Sequence, residues 1–282
     1  MDSSRQPGTW ARFAARAQAL GLNVLLVQAA SSLPPQVLEH LLDAGAEALP
    51  APGPSAAHDA PPPRPAPPGP ALRVVLLGSA GQRFWRRFQA WPGRASAGPH
   101  PLDAFTAVTA RRLLAGLLAA DRAVRVLYPF THARKLLPIQ ALTEAQPGSW
   151  PRPFGLSVHP ECGPWFAWRA VLLTSLPWPL TPAAAASPCV SCPAPCVAAC
   201  PAQAVHPGGF DWQACVDFRA REEPCRETCL AREACPAGPG FRYAAGQLAF
   251  HYRASLRWIR SQAASGPGAP QTPPAPGTSA PR

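Results

Sequence analysis

The chain has 282 residues, a formal net charge of +11, 40 prolines and nine cysteines, enough for one large domain or two modest ones around an apolar core. No apolar run approaches the roughly 20 residues that cross a bilayer, and no small-residue cleavage pattern follows the N-terminal "MDSSRQPGTWARFAARAQALGLNVLLVQ". The expectation is no membrane contact and a reducing cytoplasmic setting, where cysteines favour metal over disulfides.

Nearly all cations are arginines, scattered rather than run together, and Lys135 is the single lysine. They read as solubility and coding bias rather than a nucleic-acid footprint.

Taken in chain order, residues 10–20 predict a short helix, "LNVLLVQA" (22–29) a buried strand, and residues 34–44 a second helix with Pro34 and Pro35 near its start. Residues 49–72, "LPAPGPSAAHDAPPPRPAPPGPAL", lack the apolar periodicity that offsets ordering entropy and predict a disordered insert. A strand over 72–77 then leads into a turn at Gly78 and Gly81 and a helix. That junction admits two readings, an anion-binding helix start or a tight connection.

Residues 99–120 predict an amphipathic helix with Leu102, Phe105, Val108, Leu113, Leu114, Leu117 and Leu118 on its apolar face. "AVRVLYPF" (123–130) is strand-like, and 154–176 predicts two strands joined by the turn "HPECGP". Residues 187–237 have little regular patterning and need an organiser other than an apolar core. A last helix is expected over 241–262, carrying Arg242, Arg253, Arg257 and Arg260 and no acid, followed by a loose tail.

The densest chemistry lies in "SPCVSCPAPCVAACPAQAV" (187–205). Cys189, Cys192, Cys196 and Cys200 form a C-x2-C-x3-C-x3-C-P run, and Cys215, Cys225, Cys229 and Cys235 form a looser second group that also ends in Cys-Pro. Bacterial two-cluster ferredoxins use a C-x2-C-x2-C-x3-C-P run whose fourth cysteine ligates the other cluster. Short spacings let consecutive thiolates wrap one cubane, while the last thiolate points to its neighbour. On that logic Cys189, Cys192, Cys196 and Cys235 hold one [4Fe–4S] cluster, and Cys200, Cys215, Cys225 and Cys229 hold a second; the looser second group also admits a single cluster plus structural thiols. Two four-cysteine zinc sites would use the same eight thiolates, but zinc modules usually repeat C-x2-C, which occurs once here. Cys162 is left over, and a buried inert thiol is its plainer reading.

This order of eight cysteines resembles the ferredoxin module of epoxyqueuosine reductases, iron–sulfur and cobalamin enzymes related to reductive dehalogenases, in which the ligand split is likewise crossed. Upstream, "FGLSVHPECGPWFAWRAVLL" (154–173) is similar to CblC-type cobalamin-processing proteins, where a His-Pro…Gly-x-Trp-Phe-Ala stretch lines the corrinoid pocket. The matching positions are His159, Pro160, Gly163 or Pro164, Trp165, Phe166 and Ala167. The resemblance implies a nitroreductase-like fold and a cobalamin contact through His159, Gly163, Trp165 and Phe166. It does not extend to an acidic catalytic motif or a tRNA-gripping helical region, so queuosine chemistry, dehalogenation and thiol-dependent dealkylation are not implied.

The expected architecture is α/β (α+β), a nitroreductase-like domain followed by a two-cluster ferredoxin-like module. Its parts are an N-terminal segment (1–48), the insert (49–72), the cofactor domain (73–183), the cluster module (184–240), a helix (241–262) and a tail (263–282). The expected function is electron transfer from an external donor (a reductase, flavodoxin or ferredoxin) through two clusters to a corrinoid, another cofactor or a small-molecule substrate. The alternatives are a ferredoxin-like carrier or partner subunit with no catalytic centre, and a zinc-stabilised nucleic-acid binder.

Overall fold

The computed structural model describes residues 7–44, 47–48, 72–115, 117, 121, 124–130, 137–145, 153–183, 187–207 and 209–264. The proline insert over 49–71, Leu118 and the tail over 265–282 lie outside the described residues.

The first part is α1 (Pro7–Ala19), β1 (Val24–Ala29), α2 (Pro35–Asp43), β2 (Glu47–Ala48), β3 (Arg73–Ala80), α3 (Arg83–Gln89), α4 (Pro101–Leu114), β4 (Arg125–Leu127), α5 (Ile139–Glu144) and β5 (Phe166–Thr174). The strands form one five-stranded sheet in the order β1-β3-β5-β4-β2, antiparallel at every pairing. Alternation of side chains along each strand splits the core into two layers. Val75, Leu77, Val126, Ala170 and Leu172 face α1, α3 and α4. Leu26, Val74, Leu76, Leu127, Val171 and Leu173 face α2 and α5.

Local chemistry fixes the junctions. Gly21, at φ +86°, lets the chain leave α1 beside α3; a Cβ there would lie 2.8 Å from the Phe84 Cα. Pro35 opens α2, where its missing N–H costs nothing. Asn23 exchanges hydrogen bonds with both the N–H and the C=O of Ala80, standing in for a strand partner just before β1 begins and where β3 ends.

Four expectations change. The strand entering the glycine turn does not stop at 77 but runs to Ala80, and Gly78 lies within it, leaving room for the Trp168 ring. Only Gly81 turns, at φ +68°, and it is a tight connection, its N–H donating to the Trp165 carbonyl and its carbonyl accepting from Gln247. The two strands expected over 154–176 reduce to one, β5, preceded by a turn closed by the His159–Gly163 bridge. Among the described residues, the strand over 123–130 keeps only Arg125–Leu127, and residue 123 lies outside them.

β5 carries a bulge. Leu77 pairs with Ala170 and Gly78 with Trp168, which leaves Arg169 as the extra residue. Its guanidinium sits over the Phe84 ring at 5.1 Å and donates to the Ser79 hydroxyl.

The second part is α6 (Pro195–Ala198), β6 (Val205–His206), β7 (Gly209–Phe210), α7 (Trp212–Arg221), α8 (Leu230–Glu233) and α9 (Ala245–Ala264). α7 begins on an Asp211 cap that accepts from the Ala214 N–H. The last helix starts four residues later than expected, so Arg242 lies before it rather than on it.

Candidate cluster site

Apart from α7, which carries Cys215, the helices of the cysteine-bearing segment that hold or adjoin a cysteine are only about one turn long, and thiols make up much of its small buried nucleus. Cys196 and Cys235 are buried with Phe154, Val158, Val205 and Ala231, and Cys189, Cys200 and Cys229 pack against this nucleus.

Electrostatic contacts among the thiols divide them into two groups. Cys189, Cys192, Cys196 and Cys235 act on one another, and Cys200, Cys215, Cys225 and Cys229 do likewise. Burial is the main cause that pushes the Cys189, Cys196, Cys225 and Cys235 thiols up, and it pushes Cys215 up to about 11. Arg219 pulls Cys215 and Cys225 the other way, and Arg242 does so for Cys235. Buried thiols of this kind stay protonated near neutral pH and become thiolates when positive charge arrives, as in metal binding. Among the described residues no three His, Cys, Asp or Glu side chains converge as ligands of a single ion.

The second quartet opens into a cavity of about 350 Å³, lined by all four of its cysteines together with Arg219, Thr228 and Arg232. Arg219 lies one helical turn after Cys215 on α7, on the same face. Its three nitrogens donate to the Cys225 carbonyl, the Ser255 hydroxyl and the Tyr252 carbonyl. Arg232 is buried between the Trp165 and Tyr243 rings, 5.0 and 4.6 Å from their centroids, and donates to the Pro164 carbonyl.

The four residues expected to contact a corrinoid lie in one turn and at the start of the strand that follows it, Phe166 opening β5. The His159 Nδ1 accepts from the backbone N–H groups of Glu161 and Cys162, and burial lowers its basicity. This is the plain structural role of a histidine that closes a turn. Gly163, at φ +58°, meets the Ala237 carbonyl so closely that a Cβ would lie 2.3 Å from its oxygen. Trp165 is 1% exposed and donates from Nε1 to the same carbonyl. Gly163 and Trp165 therefore face the loop after Cys235 and carry the first quartet on the sheet. Phe166 is half-buried, edge-on to both His159 and Trp168. Cys162 is buried beside Val24 and Ala80, with its thiol pushed up to about 12 by burial, as an inert cysteine should be.

Of the arginines expected on the last helix, Arg253 pairs with Glu227, and Arg257 and Arg260 are exposed. Arg242 instead donates to the Cys235 carbonyl and lies over Trp165 at 5.1 Å. Sequence reasoning missed Arg219, Thr228 and Arg232. Their position inside the cysteine run was visible, but not which of its arginines fold inward.

No protein-family model matches the chain, and no curated protein sequence is similar to it. Among solved structures it is similar to epoxyqueuosine reductase from Bacillus subtilis, at 16% identity over 84% of this chain and 67% of that one, with a TM-score of 0.50. It is also similar to the B12-trafficking protein CblC of C. elegans, at 15% identity over 90% of this chain and 96% of that one, TM-score 0.47. A third is the catabolic reductive dehalogenase NpRdhA, at 15% identity over 94% of this chain and 37% of that one, TM-score 0.47. At these identities the likeness to the B. subtilis structure shows a shared fold. Among the described residues no helix is long and apolar enough to cross a membrane.

Proposed function

We propose that the chain is a redox protein in which two [4Fe–4S] clusters serve a nitroreductase-like sheet domain. Cys189, Cys192, Cys196 and Cys235 hold one cluster, and Cys200, Cys215, Cys225 and Cys229 hold the other. The observation that carries this reading is the gathering of eight thiols into two quartets. The donor set fits: a cubane with four thiolates is anionic, and the second quartet shares its cavity with two buried guanidiniums.

When bound, the clusters supply one-electron transfer. The chain's own residues hold and orient them. Gly163, Trp165 and Arg242 fix the loop that carries Cys235 against the sheet domain, and Arg232, in the wall of the second quartet's cavity, reaches the same segment at Pro164 and Trp165. A corrinoid, another flat cofactor or a small substrate bound in the sheet domain would be the acceptor for electrons from an external donor. Of the four residues expected to contact a corrinoid, His159 and Phe166 retain some exposure.

The test is the iron, sulfide, zinc and cobalt content of protein purified without oxygen, with an absorption spectrum and added cobalamin. About eight irons and eight sulfides per chain are expected. Zinc without iron overturns the proposal and favours a zinc-held module. Iron without cobalamin binding or turnover of a substrate reduces the protein to an electron carrier.

A further inference from the structure

The two quartets sit in unlike electrostatic surroundings. The second has two buried arginines in its wall, Arg219 and Arg232, at 8% and 5% exposure. Among the described residues neither pairs with a carboxylate. The same wall contains two buried polar atoms with no hydrogen-bond partner among the described residues, Thr228 Oγ1 and Arg232 Nε. Among the described residues, the arginine that acts on the first quartet, at Cys235, is Arg242, which is exposed to solvent.

Buried donors without acceptors carry a desolvation cost, and buried cations without counter-charge carry a larger one. Both costs fall when an anionic guest with acceptor atoms fills the cavity. A thiolate-ligated cubane is such a guest: it is negative, and its sulfurs accept hydrogen bonds. Each added electron makes it more negative, so fixed cations and donors stabilise the reduced state and raise the potential. Solvent screens the exposed Arg242 far more than it screens the two buried guanidiniums.

Resting on the two-cluster reading, we infer that Thr228 and Arg232, with Arg219 as a fixed cation, tune the second cluster to the higher potential of the two. Thr228 and Arg232 donate hydrogen bonds to it. The protein therefore holds its first electron at the Cys200–Cys215–Cys225–Cys229 site, and a second electron is required before the Cys189–Cys192–Cys196–Cys235 site is reduced. These are positioning residues, and the potential is what they set.

The experiment is a redox titration of the full anaerobic protein followed by electron paramagnetic resonance, after iron and sulfide have been counted. Wild type should give two signals with separated midpoints, the higher one lost in Cys215→Ser. Thr228→Val, nearly isosteric, and Arg232→Lys, which keeps the charge but loses Nε, should each lower the higher midpoint and leave the lower one in place. About eight irons with both midpoints unmoved in both variants overturns this inference alone, as does a shift confined to the lower signal. Loss of iron from both variants overturns it too, in favour of a purely structural role. A wild-type chain without iron sinks the cluster reading itself, and this inference with it.

Discussion

The sheet domain and the cysteine module solve the same problem by different means. In the sheet, β3 alternates Val74 and Leu76 against Val75 and Leu77, and each pair finishes a separate apolar layer. In the module, α6 and α8 have four residues each, β6 and β7 have two, and cysteines fill much of the nucleus. Elements this short cannot offset their ordering entropy by burial alone. The difference teaches that the sheet is stabilised by patterning, while the module, on the proposed reading, depends on what its thiols bind.

The largest expected effect separates the two regions directly. Removing iron by chelation should abolish the order of residues 187–241 while the sheet persists, because metal-binding free energy in such modules is folding free energy, on the order of 10 kcal/mol for small metal-held domains. Limited proteolysis with mass spectrometry checks this; cleavage spread evenly over both regions would break the comparison. Next, Leu172→Ala removes a fully buried side chain from the sheet and should cost about 2–5 kcal/mol. Denaturant titration should show that loss with iron content unchanged.

Gly163→Ala tests the joint between the regions. A Cβ at φ +58° so near the Ala237 carbonyl should cost about 1–2 kcal/mol in backbone conformation alone, with a further penalty from the clash. Iron per chain should fall towards half as the Cys235 loop lifts; full iron content would show that the loop does not depend on this contact.

The smallest effect is a pH dependence. His251 borders the second cavity, and burial, then Arg169 and Arg232, lower its pKa to about 3. With the folded value depressed below 6.5, its contribution is fully present above pH 6.5 and is lost as pH falls towards 3. The loss is at most about 1.4 kcal/mol per pH unit, less where solvent reaches the ring. Denaturation midpoints at pH 7, 6 and 5 should converge for His251→Phe relative to wild type; parallel curves would show that the ring is not the sensor.

Much of the sheet was legible because apolar periodicity is a local signal. α1, β1, α2, β3 and α4 fall where the pattern placed them, apart from shifts at their ends. Gly78 misled because a glycine in a strand and a glycine in a turn look alike until Trp168 is seen beside it. The "HPECGP" turn was legible and the strand before it was not, since that segment pairs only through His159 and Gly163. The aromatic run resembles a corrinoid-lining stretch by residue type and spacing alone; only the structure shows that its most buried member, Trp165, donates to the loop after Cys235 and lies under Arg232 and Arg242.

By itself the sequence determined the two apolar layers of the sheet and the kind of chemistry eight closely spaced thiols can do, because periodicity and ligand spacing are properties of short stretches of chain. Only the tertiary structure decided which cations serve those thiols. Arg219, Arg226 and Arg232 look equivalent in a linear reading. Folding buries Arg219 and Arg232 in the wall of the second cavity, while Arg226 forms a surface pair with Glu223. The reason is physical: a charge acts through distance and screening, and both are set by packing between segments far apart in the chain.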